Sequence, residues 1–585
     1  MTKQPRSQFL GPEQREAAWA RLGKDTFDVI VIGAGVVGAG IALDAATRGL
    51  EVALVEARDL ASGTSSRSSK MFHGGLRYLE MMEFGLVREA LKERELALST
   101  LAPHLVKPLR FLYPLSHYVW ERPYVAAGLT LYDTMGGAKS VPGQHHLTKS
   151  AALRLAPGLK DDALTGGLTY YDTVVDDARH TMTVARTAAH YGAVIRTSTQ
   201  VVGFLREADR VVGVKVHDSE DGRTTEVRGS VVINATGVWT DEIQSLAQQR
   251  GRFHVRASKG VHIVVPRDRI ASDTSIILRT EKSVLFVISW GTDHWIIGTT
   301  DTDWNLDLAH PAATKSDIDY LLGHINKVLV APLTHADITG VYAGLRPLLA
   351  GESDQTSKLS REHAVARVAP GLVAIAGGKY TTYRVMAYDA VDEAAQDIPQ
   401  RVPPTITEKV PLLGADGYHA LMNQTPHLAE KYGVHPYRIQ HLLNRYGSLI
   451  DEVLGLADGK PELLQPITAS PGYLQVEAVY AVAAEAALHL DDILARRTRI
   501  SIEYAHRGVD CAEQVARLVA PVLGWDEAEI AREVDTYNAR VKAEIESQTR
   551  EDDASADALR QAAPEPRPQI LEPVPVPTDN QRTSL

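Results

Sequence analysis

The stretch DVIVIGAGVVGAGIALDAATRGLEVALVE, Asp28 to Glu56, constrains this chain more than any other. Val29 to Ile32 read as a buried strand, followed by Gly33, Gly35 and Gly38 in a G-x-G-x-x-G turn. Gly33 permits the tight turn, Gly35 lets a pyrophosphate approach the backbone, and Gly38 lets helix and strand pack closely. Ala34, Val36 and Val37 complete that turn. The helix after it offers free N–H groups and a positive dipole end to phosphates. Val52 to Val55 read as a second strand ending at Glu56, with Ala57 next. Glu56 is placed to accept hydrogen bonds from ribose hydroxyls. The unit predicts an α/β domain that binds a dinucleotide. Either NAD or FAD satisfies it, and the carboxylate of Glu56 disfavours the 2′-phosphate of NADP.

Other features narrow the field. No second G-x-G-x-x-G occurs, which argues against electron exchange with NAD(P)H through a second such domain. The single cysteine, Cys511, excludes an intrachain disulfide and cysteine-built metal or iron–sulfur sites. No metal is expected, and a reducing, cytoplasmic setting is. Met1 to Arg21 lacks the apolar segment of a secretory signal. The run Val29 to Leu43 is 15 residues, short of the ~20 that a spanning helix needs. A net charge of −11 argues against nucleic acid as a partner.

The 585 residues divide by composition and periodicity. Residues 1–24 read as an N-terminal extension. A dinucleotide-binding domain is expected from 25–100, 178–250 and 351–400, and a substrate-binding domain from 101–177 and 251–350, with β runs such as VHIVV and VLFVI. Residues 401–550 are Ala/Leu/Glu-rich and read as an all-α cap. Residues 551–585 contain six prolines and no aromatic residue and are expected to be a disordered tail.

The segment ASGTSSRSSKMFHGGLRYLE, Ala61 to Glu80, resembles the flavin-proximal loop of FAD-dependent glycerol-3-phosphate dehydrogenases of the aerobic, quinone-linked type. Similar motifs follow in order: VDDAR (175–179), NATGVW (234–239), KGVHIVVP (259–266), IIGTTDTDW (296–304), YAGLRPL (342–348), GGKYTTYR (377–384) and DDILARRT (491–498). The resemblance covers roughly residues 27 to 525. It implies FAD, an amino-acid-oxidase-like core with a Rossmann-like domain and an antiparallel substrate sheet, and a helical C-terminal cap. Thr64, Ser65, Ser66, Ser68 and Ser69 suit the pyrophosphate and flavin ring. Lys70 would place a cation where negative charge appears on flavin reduction. Ala235, Thr236, Gly237, Gly377, Gly378, Lys379, Thr381 and Thr382 are the remaining implied cofactor contacts.

The same resemblance implies oxidation of glycerol 3-phosphate to dihydroxyacetone phosphate, with hydride passing from C2 to flavin N5. The substrate dianion needs fixed cations. Arg77, Arg346 and Lys379 are the implied phosphate partners, with Tyr78 and Arg361 as weaker candidates and Lys259 as an electrostatic aid. Arg346 is counted with the catalytic set. His73 and His262 are the two candidate bases for the hydroxyl proton, His73 preferred. The implied acceptor is a membrane quinone. The aromatic and basic stretch Arg110 to Asp133 suits a headgroup boundary, so peripheral attachment to the inner face of the cell membrane is expected, as is a homodimer. An oxygen-using glycerol-3-phosphate oxidase and an amine or hydroxy-acid oxidase are the alternatives. In the cap, Asp492 and Arg496 have the spacing of an ion pair, and a structural role is expected for them.

Overall fold

Valine and isoleucine runs with few polar residues make parallel strands that are buried on both faces. The computed structural model describes residues 9–567, apart from 77, 79–81, 118, 119, 137–139, 248–253, 281–283 and 351–362. In it Thr26–Ile32 lies at the centre of an eight-stranded sheet. It pairs in parallel with Val52–Val55 on one side and Thr224–Asn234 on the other. Leu372–Gly377 extends the sheet beyond Thr224–Asn234, and Val194–Arg196 extends it beyond Val52–Val55. A hairpin of Thr199–Glu207 and Arg210–Asp218 joins through Thr224–Asn234. The helices Val36–Thr47, Asp177–His190 and Tyr383–Ala394 pack together over one face. The N-terminal helix Pro12–Leu22 buries Ala18 and Leu22 on the other, and its Arg15 donates to Asp218.

A second, ten-stranded sheet is almost wholly antiparallel. Its longest ladders join Val106–Leu115 to Gly166–Val175 and Val255–Pro266 to Gly340–Leu349. Ser275–Arg279 beside Val106–Leu115 forms a parallel pair. The short strand Met71–Phe72 also belongs here, although it falls within the 25–100 segment expected for the first domain. The helix Phe84–Leu96 packs behind this sheet.

The C-terminal region is helical, as its composition predicts, with one two-stranded ribbon, Pro466–Ile467 against Ser470–Leu474. Val509–Leu523 shows why: Cys511, Ala512, Val515, Ala516 and Val519 form one buried stripe. Cys511 is an inert part of that core. The expectation of disorder from 551 onward is corrected for residues 551–567. Asp552 caps a helix over Asp553–Ala562, its side chain accepting from the Ser555 amide at 2.8 Å. Ala556 is buried, and Arg567 reaches back to Asp492 at 2.6 Å. Residues 568–585 lie outside the described residues. No described helix is long and apolar enough to cross a membrane.

Candidate active site

A cavity of about 910 Å³ runs between the two sheets, from the glycine turn to the inner face of the second sheet. The turn itself is closed by missing side chains. Gly33 has φ +97°, and a Cβ there would meet the Ala235 carbonyl oxygen at 2.9 Å. A Cβ on Gly38 would lie 1.8 Å from the Gly33 carbonyl oxygen. Glu56 accepts the Ala34 amide at 2.7 Å and the Arg58 amide at 2.8 Å. Burial raises its pKa, while those amides oppose the rise. Two lone-pair positions remain for hydroxyls. Ser65 Oγ accepts the Val36 amide at 2.9 Å, tying the serine loop to the turn.

Most of the expected cofactor contacts line this cavity: Gly33, Gly35, Val36, Val37, Glu56 and Ala57 at the turn, and Thr64, Ser65, Ser68 and Ser69 in the loop. Ala235, Thr236, Gly237, Gly377, Gly378, Lys379 and Thr381 line it from the facing segments. A cradle of backbone with no room for further side chains fits the pyrophosphate of FAD. Ala34, Gly38, Ser66 and Thr382 stand behind the lining rather than on it. Gly38 has the packing role its motif assigns.

Two expected cations are corrected. Lys70 does not face the cavity. Its ammonium is fully buried, donating to Asp177 at 2.8 Å and to the Ser66 carbonyl at 2.9 Å. Lys259 is also turned away, donating to Asp317 at 2.6 Å and to Asp553. Strand alternation explains it. Gly260 and His262 of Val255–Pro266 face the cavity, so Lys259 faces the other side. Arg77 and Arg361 lie outside the described residues.

Beyond the turn the cavity is lined by two groups, Lys379 with Tyr78 and His73, and Arg346 with His262. Arg346 donates to Thr299 Oγ1 at 3.1 Å and to the Thr300 carbonyl at 3.2 Å, with Asp301 at 3.5 Å. Lys379 Nζ sits 3.5 Å from the centre of the Tyr78 ring, a cation–π contact. His73 is held through its backbone, its amide donating to Thr381 Oγ1 at 3.2 Å. Burial, then Lys379 and Arg94, push its pKa down to about 4, so the ring is neutral at neutral pH. His262 is held differently. Its Nε2 is 2.9 Å from Ser69 Oγ, and its ring stacks on Tyr342 at 4.7 Å. Burial, Arg346 and Lys70 also keep it neutral. The arrangement offers a cationic place for an anion beside a neutral imidazole that can accept a proton.

Several lining residues have no local sequence signature. Tyr113, Tyr170, Asp172, Arg279 and Phe286 face the cavity from strands of the second sheet. Asp172 accepts from Arg94 at 2.8 Å and from Tyr132 at 2.7 Å, and Tyr132 in turn accepts the Gly74 amide at 2.7 Å. This buried chain fixes the HGG turn that carries His73. Alternation along YYDTVV was the only available hint.

Residues 28–384 match the family described as FAD dependent oxidoreductase, and residues 405–530 match the C-terminal domain of alpha-glycerophosphate oxidase. Glycerol-3-phosphate dehydrogenase 2 of Mycobacterium tuberculosis is 74% identical over 567 residues, covering 97% of each chain. The human mitochondrial glycerol-3-phosphate dehydrogenase is 33% identical over 90% of this chain and 74% of its own. The crystal structure of glycerol-3-phosphate dehydrogenase from Bacillus halodurans, complexed with FAD, superposes with a TM-score of 0.76 at 30% identity. It covers 91% of this chain and 98% of its own.

Proposed function

The chain belongs to the FAD-dependent glycerol-3-phosphate dehydrogenases, and from that premise we propose how its own cavity oxidises sn-glycerol 3-phosphate to dihydroxyacetone phosphate. The observation that carries the reading is a neutral His73 beside Lys379, in a cavity that Arg346 also lines and that is continuous with the dinucleotide turn. FAD, when bound, supplies the acceptor for the hydride that leaves C2. The glycine turn, Glu56 and the serine loop would hold it.

Arg346 offers a guanidinium fork to the substrate phosphate and Lys379 a point charge. Among the described residues no side chain hydrogen-bonds the His73 ring, so it is available to the C2 hydroxyl. Because it is neutral it accepts that proton as the C–H bond breaks. His262 acts through Ser69, whose hydroxyl it positions. Arg77 and Arg361 are proposed as further phosphate partners on the family resemblance.

Electrons are proposed to leave to a membrane quinone. The helix Glu121–Gly136 turns Val125, Leu129 and Tyr132 inward and leaves Tyr124 and Leu131 exposed, next to exposed Trp120. Met82 and Phe84 add exposed apolar surface at the start of the helix that packs against it. Such a patch suits a bilayer surface. A homodimer is proposed on the resemblance alone, and a sedimentation coefficient for a 63.8 kDa monomer would overturn it.

The deciding experiment adds glycerol 3-phosphate to the oxidised holoenzyme without oxygen. Rapid loss of the yellow flavin colour is expected. A flavin that dithionite bleaches but glycerol 3-phosphate does not would sink the reading. Turnover with a quinone analogue is expected next. Peroxide formed at the full turnover rate with no quinone would replace the dehydrogenase by an oxidase.

A further inference from the structure

A second cavity, of about 110 Å³, lies where the cap and the C-terminal helices meet the back of the serine loop. It is far larger than the ~10–15 Å³ that one water needs. Six arginines line it, Arg67, Arg496, Arg499, Arg507, Arg540 and Arg560, against only two carboxylates, Asp491 and Glu544. His310 adds no charge, because burial and the surrounding arginines push its pKa well below the usual range.

The counter-charge is unevenly shared. Arg496 meets Asp59 at 2.5 Å and Asp491 at 2.7 Å, and Arg499 meets Asp176 and Asp177, each at 2.5 Å. Arg540 meets Glu565 at 2.7 Å. Three cations are left to one acid. Glu544 accepts from Arg507 at 3.2 Å and from Arg560 at 2.9 Å. Arg67 meets no carboxylate among the described residues, and its Nη1 donates to the Ala309 carbonyl at 2.9 Å. Two further donors, Arg560 Nε and Gln548 Nε2, are buried with no hydrogen-bond partner. Burial, then Arg496 and Arg560, push the Arg67 pKa down to about 10, as mutual repulsion of poorly solvated cations requires.

Buried charge without counter-charge is costly, and guanidinium forks match tetrahedral oxyanions in shape and charge. We infer that this cavity binds a tetrahedral oxyanion, as inorganic phosphate or as the phosphate of a small metabolite, at Arg67, Arg507 and Arg560. The site is separate from the substrate cavity, yet Arg67 lines both. Its amide donates to the Thr64 carbonyl at 3.1 Å inside the serine loop. An anion held here clamps the cap to that loop and stabilises the holoenzyme.

The test titrates inorganic phosphate into the holoenzyme and follows the melting temperature, with chloride at matched ionic strength as the control. Phosphate is expected to raise the melting temperature beyond chloride in the wild type and in Arg346→Gln. In Arg560→Gln and Arg507→Gln the midpoint concentration should rise at least ~10-fold, the factor that 1.4 kcal/mol of lost binding corresponds to. Flavin reduction by glycerol 3-phosphate should stay within about twofold of wild type in those two variants, on the scale of an interaction that does not touch the reaction. Wild-type crystals soaked in selenate keep the proposal testable if those variants fail to fold. An anomalous peak is expected within hydrogen-bond distance of Arg67 and Arg560. Displacement of that peak by glycerol 3-phosphate identifies a phosphorylated metabolite as the occupant, and its persistence identifies the free ion. A phosphate response abolished by Arg346→Gln and untouched by Arg560→Gln, or selenate found only at Arg346 and Lys379, overturns the inference.

Discussion

Two histidines, one lining the main cavity and one at the seam beneath the cap, take different charge states, neutral and cationic, for readable reasons. At His73, burial and the neighbouring cations Lys379 and Arg94 act in the same direction, and its pKa falls to about 4. At His489, burial and Arg567 also push downward, but hydrogen bonds to Glu533 at 2.9 Å and Glu220 at 3.1 Å outweigh them. Its pKa rises to about 9. The difference extends to their surroundings. At the seam, Arg496 and Arg497 close on Asp59, and Arg567 closes on Asp492. In the cavity, Arg346 donates to Thr299 Oγ1 and the Thr300 carbonyl with Asp301 at 3.5 Å, and Lys379 lies over the Tyr78 ring. Charge in these seam pairs is matched within the chain and holds domains together. The cavity cations are the ones proposed above to meet the substrate phosphate.

The sharpest way to break that contrast is His73→Asn. Flavin reduction in single turnover should slow by ~10²–10⁴-fold, the range for loss of a general base, while the melting temperature holds. A near-normal rate removes His73 as the base. Arg346→Leu should lower kcat/KM for glycerol 3-phosphate by ~10²–10³-fold, as for other lost anion clamps. A comparable loss of stability would show that it belongs with the structural cations instead.

Seam substitutions should do the reverse. Asp59→Asn leaves Arg496 and Arg497 buried with a carboxylate removed, and should cost ~3–5 kcal/mol of unfolding free energy. Denaturant titration of the holoenzyme checks this, with flavin reduction per bound flavin expected to persist. His489 gives the pH signature. Its folded pKa of about 9 lies above the 6.5 of an ordinary histidine, so its contribution is full below pH 6.5 and is lost as pH rises through 9. His489→Gln should therefore destabilise by about 3 kcal/mol at pH 6 and by almost nothing at pH 10. An equal loss at both pH values would mean that packing, not charge, makes the site. The smallest effect is expected at Arg279, at the exposed edge of the cavity. Arg279→Gln should raise KM a few-fold, with kcat held, as for loss of uniform binding by a screened surface charge.

How much of this was legible in the sequence follows from locality. Gly33, Gly38, Glu56 and the serine loop were readable because one short stretch of backbone fixes their geometry. Lys259 and His262 were both assigned to the site, although positions three apart in a strand face opposite ways, and only His262 arrived. Lys70 failed by one position beside Ser69. Tyr170 and Asp172 become cavity residues only when Gly166–Val175 pairs with Val106–Leu115, and no local pattern encodes that register. The proline count suggested disorder beyond residue 551, but Asp552 and the alanines after it carry an ordinary helix start.

The pairing of Asp59 with Arg497 also bears on synthesis. The partners are 438 residues apart, so at ~5–20 residues per second about 20–90 s pass between their appearances on the ribosome. Through that interval the first domain holds a carboxylate built for a partner not yet made, and the seam is the last part of the protein to be finished.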